Sequence, residues 1–79
     1  MKYLAKKQMT LNATANSRTI NMNTTRTFEN EDAALEQVFA WERELEAKGW
    51  SIKKMEGDVI TMSKLNDRNI PQYCKLFVA

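Results

Sequence analysis

Apolar and polar positions alternate from Tyr3 to Leu11, with Tyr3, Ala5, Met9 and Leu11 on one side and Leu4, Lys6, Gln8 and Thr10 on the other. Lys7 interrupts the first set. A period of two marks a half-buried strand. The pattern returns from Arg18 to Phe28: Ile20, Met22, Thr24 and Phe28 share one parity, and Thr19, Asn21, Asn23, Thr25 and Thr27 share the other. β-Branched threonine favours the pleated backbone there. Between the two segments, NATANS (Asn12 to Ser17) is built from residues that hydrogen-bond their own backbone, so the pair is expected to form an antiparallel hairpin.

The period changes at Glu29. Asn30 suits a helix N-cap, and Glu31 and Asp32 place negative charge on the positive end of the helix dipole. Leu35, Val38, Glu42, Leu45 and Gly49 follow helical spacing, with Ala34, Phe39 and Trp41 flanking the stripe. Glu44 and Lys48 form a favourable i,i+4 pair. Gly49 suits the left-handed residue that ends a helix, after which Trp50 packs back as the chain turns into a strand. Trp50 to Met55 and Val59 to Leu65 flank the turn Glu56-Gly57-Asp58. LNDRNIPQ reads as a loop, and Tyr73 to Val78 as a fifth strand. The order β-β-α-β-β-β implies an α+β fold, a small antiparallel sheet with one helix packed on one face, within a single domain over residues 1–79.

If the helix covers the Ile20, Met22 and Phe28 side, the Thr and Asn side chains of the second strand face away from it. That surface is either a solvated outer face, as antiparallel sheets commonly keep, or a binding face of hydroxyls and amides. Lys6, Gln8, Ser51, Lys53, Thr61 and Ser63 are expected on the same side.

Charge adds a second pattern. The net charge is only +2, yet residues 1–28 hold five bases and no acid, residues 29–49 seven acids against two bases, and residues 50–79 five bases and three acids. A basic arm and an acidic middle are therefore separate surfaces unless they neutralise each other. With 79 residues the core is thin, and 43% apolar with 28% charged residues suits a soluble globular chain. No apolar run is long enough to span a bilayer, and the lysines of the first residues are followed by no apolar segment of the kind a secretory signal needs. The single Cys74 has no internal disulfide partner, so a cytoplasmic location is expected.

The residue inventory argues against an enzyme. There is no histidine, the commonest general base and transition-metal ligand, and Cys74 alone builds neither a zinc site nor an activated nucleophile. In YCKLFV it reads as a small buried hydrophobe. Two glycines cannot make a phosphate cradle. Glu42, Glu44 and Glu46 lie two apart, so on a helix they diverge and form no catalytic dyad. Glu42 falls in the apolar stripe and Arg26 in the apolar parity of its strand, which raises a pairing between them. No cofactor and no metal are expected.

Two binding functions remain. In the first, a non-catalytic module acts by occupying a protein surface through its helix, where Trp41 and Phe39 lie among Glu42, Glu44 and Glu46; either one of the two aromatics is exposed as an anchor or both pack over the edges of the sheet. In size and in lacking histidine the chain resembles small phage or mobile-element proteins that block a host system. That resemblance implies an inhibitor of a host nuclease or defence protein. In the alternative, the basic polar sheet face binds nucleic acid or a nucleotide through Lys6, Arg18, Asn21, Asn23, Thr25 and Lys53. Lys2, Lys7, Arg26, Lys54 and Lys64 are further bases for it, with Tyr3, Tyr73 and Phe77 as stacking candidates. The first and last strands are expected to leave sheet edges free, which with a thin core suits a homodimer.

Overall fold

The first hairpin forms as its alternation implies. In the computed structural model, which describes residues 2–12 and 19–79, β1 (Tyr3–Asn12) and β2 (Thr19–Phe28) pair antiparallel in unbroken register, from Tyr3–Phe28 to Asn12–Thr19. The turn expected after Asn12 and Arg18 lie outside the described residues. The helix α1 (Glu31–Ala47) follows, and then the meander of β3 (Ser51–Glu56), β4 (Val59–Leu65) and β5 (Pro71–Val78). β5 returns to pair antiparallel with β1, giving one five-stranded sheet of order β2-β1-β5-β4-β3. The molecule is a small α+β fold.

This order corrects one expectation. The first and last strands are not at the edges. They lie side by side in the interior of the sheet, and the edges are β2 and β3. The cause is the helical crossover, which carries the chain from β2 to the far side of the sheet, so that the meander must come back toward β1.

One face of the sheet is roofed by the helix. From β1, Ala5 is fully buried and Tyr3, Met9 and Leu11 pack against the core, while β4 and β5 contribute Ile60, Met62, Cys74 and Leu76. The helix meets them with Ala34, Val38, Trp41 and Leu45, a stripe at spacings of four, three and four. Trp41 therefore lies inside the stripe rather than beside it. Leu35 and Glu42 form its half-buried shoulder. The interruption at Lys7 is absorbed by the same tryptophan: the Lys7 Nζ sits over the Trp41 ring, 5.3 Å from its centroid. A lysine stem can cover apolar surface while its ammonium meets an aromatic face.

The helix ends are set by the expected residues. The Asn30 side chain accepts a hydrogen bond from the Ala33 N–H at 2.8 Å, with Glu31 and Asp32 in the first turn. At the other end Gly49 adopts φ +97°, a left-handed value where a side chain is strained. The Gly49 N–H donates to the Glu46 carbonyl, and the Trp50 N–H reaches back to that of Leu45. Lys64 on β4 completes this terminus, its Nζ donating to the Lys48 carbonyl at 2.7 Å. A cation there complements the negative end of the helix dipole.

Candidate functional site

The second face of the sheet carries no helix. Register assigns its residues: opposite the core-facing Ala5, Cys74 and Met62 run Lys6, Gln8 and Thr10 on β1, Tyr73, Lys75 and Phe77 on β5, and Thr61 and Ser63 on β4. Lys6 stands beside Phe77, Gln8 beside Lys75 and Thr10 beside Tyr73. The middle strand thus offers an aromatic, a lysine and a second aromatic in succession, about 7 Å apart at the rise of an antiparallel strand. Tyr73 is 37% exposed and Phe77 half-buried.

A bulge aims the lysines of β3. Pairing with β4 steps from Ile52–Met62 to Lys54–Thr61, so Lys53 is the extra residue. An extra residue re-aims the side chains around it. Lys53 reaches across to the Tyr73 hydroxyl, its Nζ donating at 3.1 Å and lying 4.8 Å from the ring centroid. Lys54 shares the face of Thr61 and pairs with Glu56 at 2.8 Å, both side chains being largely in water. Four lysines therefore share the uncovered face (Lys6, Lys53, Lys54 and Lys75) against Glu56 as the acid set in its strands.

The expected sheet-face residues are spread across this surface. Asn21, Asn23 and Thr25 are exposed on it, on β2, with Lys6 next to Thr25 in the ladder. Lys53 lies at the other edge, four strand spacings or about 19 Å away. Arg18 lies outside the described residues. Of the further bases, Lys54 joins them and the others that can be placed by register do not. Lys7, Arg26 and Lys64 are on the helix side, Arg26 donating to the Gln37 side chain at 3.5 Å instead of pairing with Glu42. Tyr3 also faces the helix side and packs against the core, which removes it as a stacking residue.

Sequence reasoning omitted Lys75 and named Lys54 as a further base without a parity that puts it on this face. The alternation of YCKLFV already puts Lys75 between Tyr73 and Phe77. Lys54 carries no such signal, because strict parity sets it on the side of Ile52 and only the bulge turns it over.

Of the two aromatics on the helix, the exposed one is Phe39. Trp41 is 3% exposed, so it cannot serve as an anchor for a partner. Phe39 is exposed, and with Leu35, Val38, Met55 and Ile60 it lines a groove of about 150 Å³ beside β3. Glu42 and Glu46 follow Phe39 at three and seven residues and share its side of the helix, whereas Glu44 points elsewhere. Glu42 titrates above its ordinary range, first because its carboxyl hydrogen-bonds with Glu46, then through partial burial and the repulsion of the Glu46 charge, with Arg43 opposing. A wider groove of about 390 Å³ lies near the start of the helix, among Lys2, Tyr3, Glu31, Leu35 and Asp58. Cys74 is buried, its thiol pushed up to about 11 first by desolvation, with the Lys7 charge acting weakly against this.

Among the described residues no three His, Cys, Asp or Glu side chains are grouped to hold a metal ion. No helix among them is long and apolar enough to cross a membrane. No protein-family model, curated protein or solved structure matches the chain.

Proposed function

We propose that the protein is a non-catalytic binding module whose working surface is the uncovered sheet face, and that its ligand is single-stranded nucleic acid. The observation that carries this reading is the row Tyr73, Lys75 and Phe77 on the middle strand, with Lys6 beside Phe77 and Lys53 on the Tyr73 ring. Single strands are bound without strict sequence preference by stacking bases on aromatic rings while basic side chains follow the phosphates. The two rings stand about 14 Å apart along β5, a span of roughly four stacked bases at 3.4 Å each, or fewer in a stretched strand. Thr10, Thr61 and Ser63 provide neutral donors and acceptors between them.

The fold also segregates charge in the sense this function needs. The helix carries Glu31, Asp32, Glu36, Glu42, Glu44 and Glu46 on the other side of the sheet, where they do not oppose a polyanion lying across the strands. Lys53 acts as a placeholder on the Tyr73 ring: an arriving base takes the aromatic surface and the ammonium swings to a phosphate.

Fluorescence anisotropy with labelled single-stranded oligonucleotides at low salt tests this directly. Tyr73→Ala is expected to weaken binding roughly tenfold, in line with about 1–3 kcal/mol per stacked base. Phe39→Ala, on the helix side, should leave it unchanged. Absence of binding at low salt, or an unaltered affinity in Tyr73→Ala, would falsify the proposal.

A second reading is supported by the exposed Phe39 and its groove against Met55. There the helix engages a protein, and the inhibitor of a host nuclease or defence complex belongs to this reading. It relies on Phe39, Glu42 and Glu46 and not on Trp41, and it predicts that Phe39→Ala abolishes capture of a partner that Tyr73→Ala still retains.

A further inference from the structure

The two edges of the sheet are built differently. β3 is short, broken by the bulge at Lys53 and studded with Lys53, Lys54 and Glu56. Bulges and charges are what natural sheets use to keep an edge from pairing with another strand. β2 has neither. Its ten residues run in unbroken register with β1, and the stretch TINMNTT, Thr19 to Thr25, contains no charge, glycine or proline. On the helix side of this edge Ile20 and Met22 are 45% and 52% exposed, because the helix meets β2 toward Arg26 and Phe28 and leaves the Thr19 end uncovered.

We infer that β2 is the interface through which two copies of this chain associate, pairing antiparallel about a two-fold axis at Met22. The pattern of the strand is self-complementary about that residue. Rotation sets Met22 against Met22 of the second copy, Ile20 against its Thr24 and Asn21 against its Asn23. All three pairs keep the sides of the sheet aligned, since partners about an axis centred on a residue share parity. On the helix side, Ile20 and Met22 of both copies merge into one apolar strip. On the uncovered side, Asn21 and Asn23 face one another as amides able to donate and accept across the strands.

A second copy is favoured over a foreign strand for two reasons. The uncharged stretch is centred on Met22, so both halves of an isologous contact are satisfied by one sequence. A foreign strand would leave that symmetry without a role. The nearest charges in the sequence, Arg18 and Arg26, flank the uncharged stretch four positions either side of Met22. The product is a continuous ten-stranded sheet with both helices on one face.

Sedimentation velocity from micromolar to millimolar protein tests the inference. The wild type should shift from monomer to dimer across that range. Met22→Lys puts two ammonium groups together on the axis and is expected to weaken dimerisation by at least about tenfold. Met55→Lys, an equally exposed methionine on the other edge, should dimerise as the wild type does. Met22→Cys gives an independent readout that does not depend on tolerance of a lysine: mild oxidation should join two copies by a disulfide, while the buried Cys74 stays reduced. A monomer at every concentration, a dimer that survives Met22→Lys, or failure of Met22→Cys to cross-link under oxidation overturns the assignment.

Discussion

Cys74 shows how one side chain is governed by its place in the sheet. It sits fully buried on the helix side of β5, and burial raises the thiol from an ordinary 9 to about 11. Because the folded value lies above the unfolded one, the stabilisation is complete below pH 9 and is lost as the pH rises through 11. Urea titrations at stepped pH should therefore show the wild type losing stability above pH 9 more steeply than Cys74→Ala. Alkylating reagents at neutral pH should leave the native thiol untouched and label it only on unfolding. The inert role of Cys74 could be read from its apolar neighbours, because burial in a strand follows from composition. Trp41 could not be placed the same way. Its position relative to Val38 and Leu45 allows either the centre or the flank of a helical stripe, and the sheet beneath, with Lys7 reaching the ring, decides which.

At the level of elements, periodicity and caps carried most of the information. The helix begins after Asn30 and ends before a left-handed Gly49 because the cap chemistry is local. Asn30→Ala removes the acceptor for the Ala33 N–H and should lower stability by about 1 kcal/mol in thermal or urea unfolding. Trp41→Ala empties the centre of the interface between helix and sheet and should lower it by about 3–5 kcal/mol, enough to unfold a domain with so thin a core. The strands were legible for the same reason, β4 to the residue and the others to within one or two residues. What escaped was anything requiring one strand to know its neighbour. The bulge at Lys53 exists only in the pairing with β4, and it is the bulge that turns Lys54 onto the uncovered face. Likewise the contact of Arg26 with Gln37, rather than Glu42, depends on where the helix lies over the hairpin.

For the whole molecule, the division of charge between the two faces governs how binding should respond to solution conditions. For the proposed single-stranded ligand, four lysines on one side would release counterions from up to four phosphates, with a slope of log affinity against log salt of about −3, at 0.7 per contact. Anisotropy titrations at several salt concentrations measure that slope, and Lys75→Gln should make it shallower by about one contact. Strand order has a different consequence, one of timing. The backbones of Leu4 and Ala79 exchange hydrogen bonds of 3.2 and 2.8 Å at one end of the β1–β5 pairing. During synthesis the hairpin, complete at Phe28, is made before the strand that must lie against it, which begins at Pro71. It waits as a two-stranded ribbon, a form marginally stable in water. Cooperative folding is thereby held back until residues 71–78 are translated, and linking Ala79 to Lys2 while opening the chain at the Glu56–Gly57–Asp58 turn should give a circular permutant that keeps the same sheet.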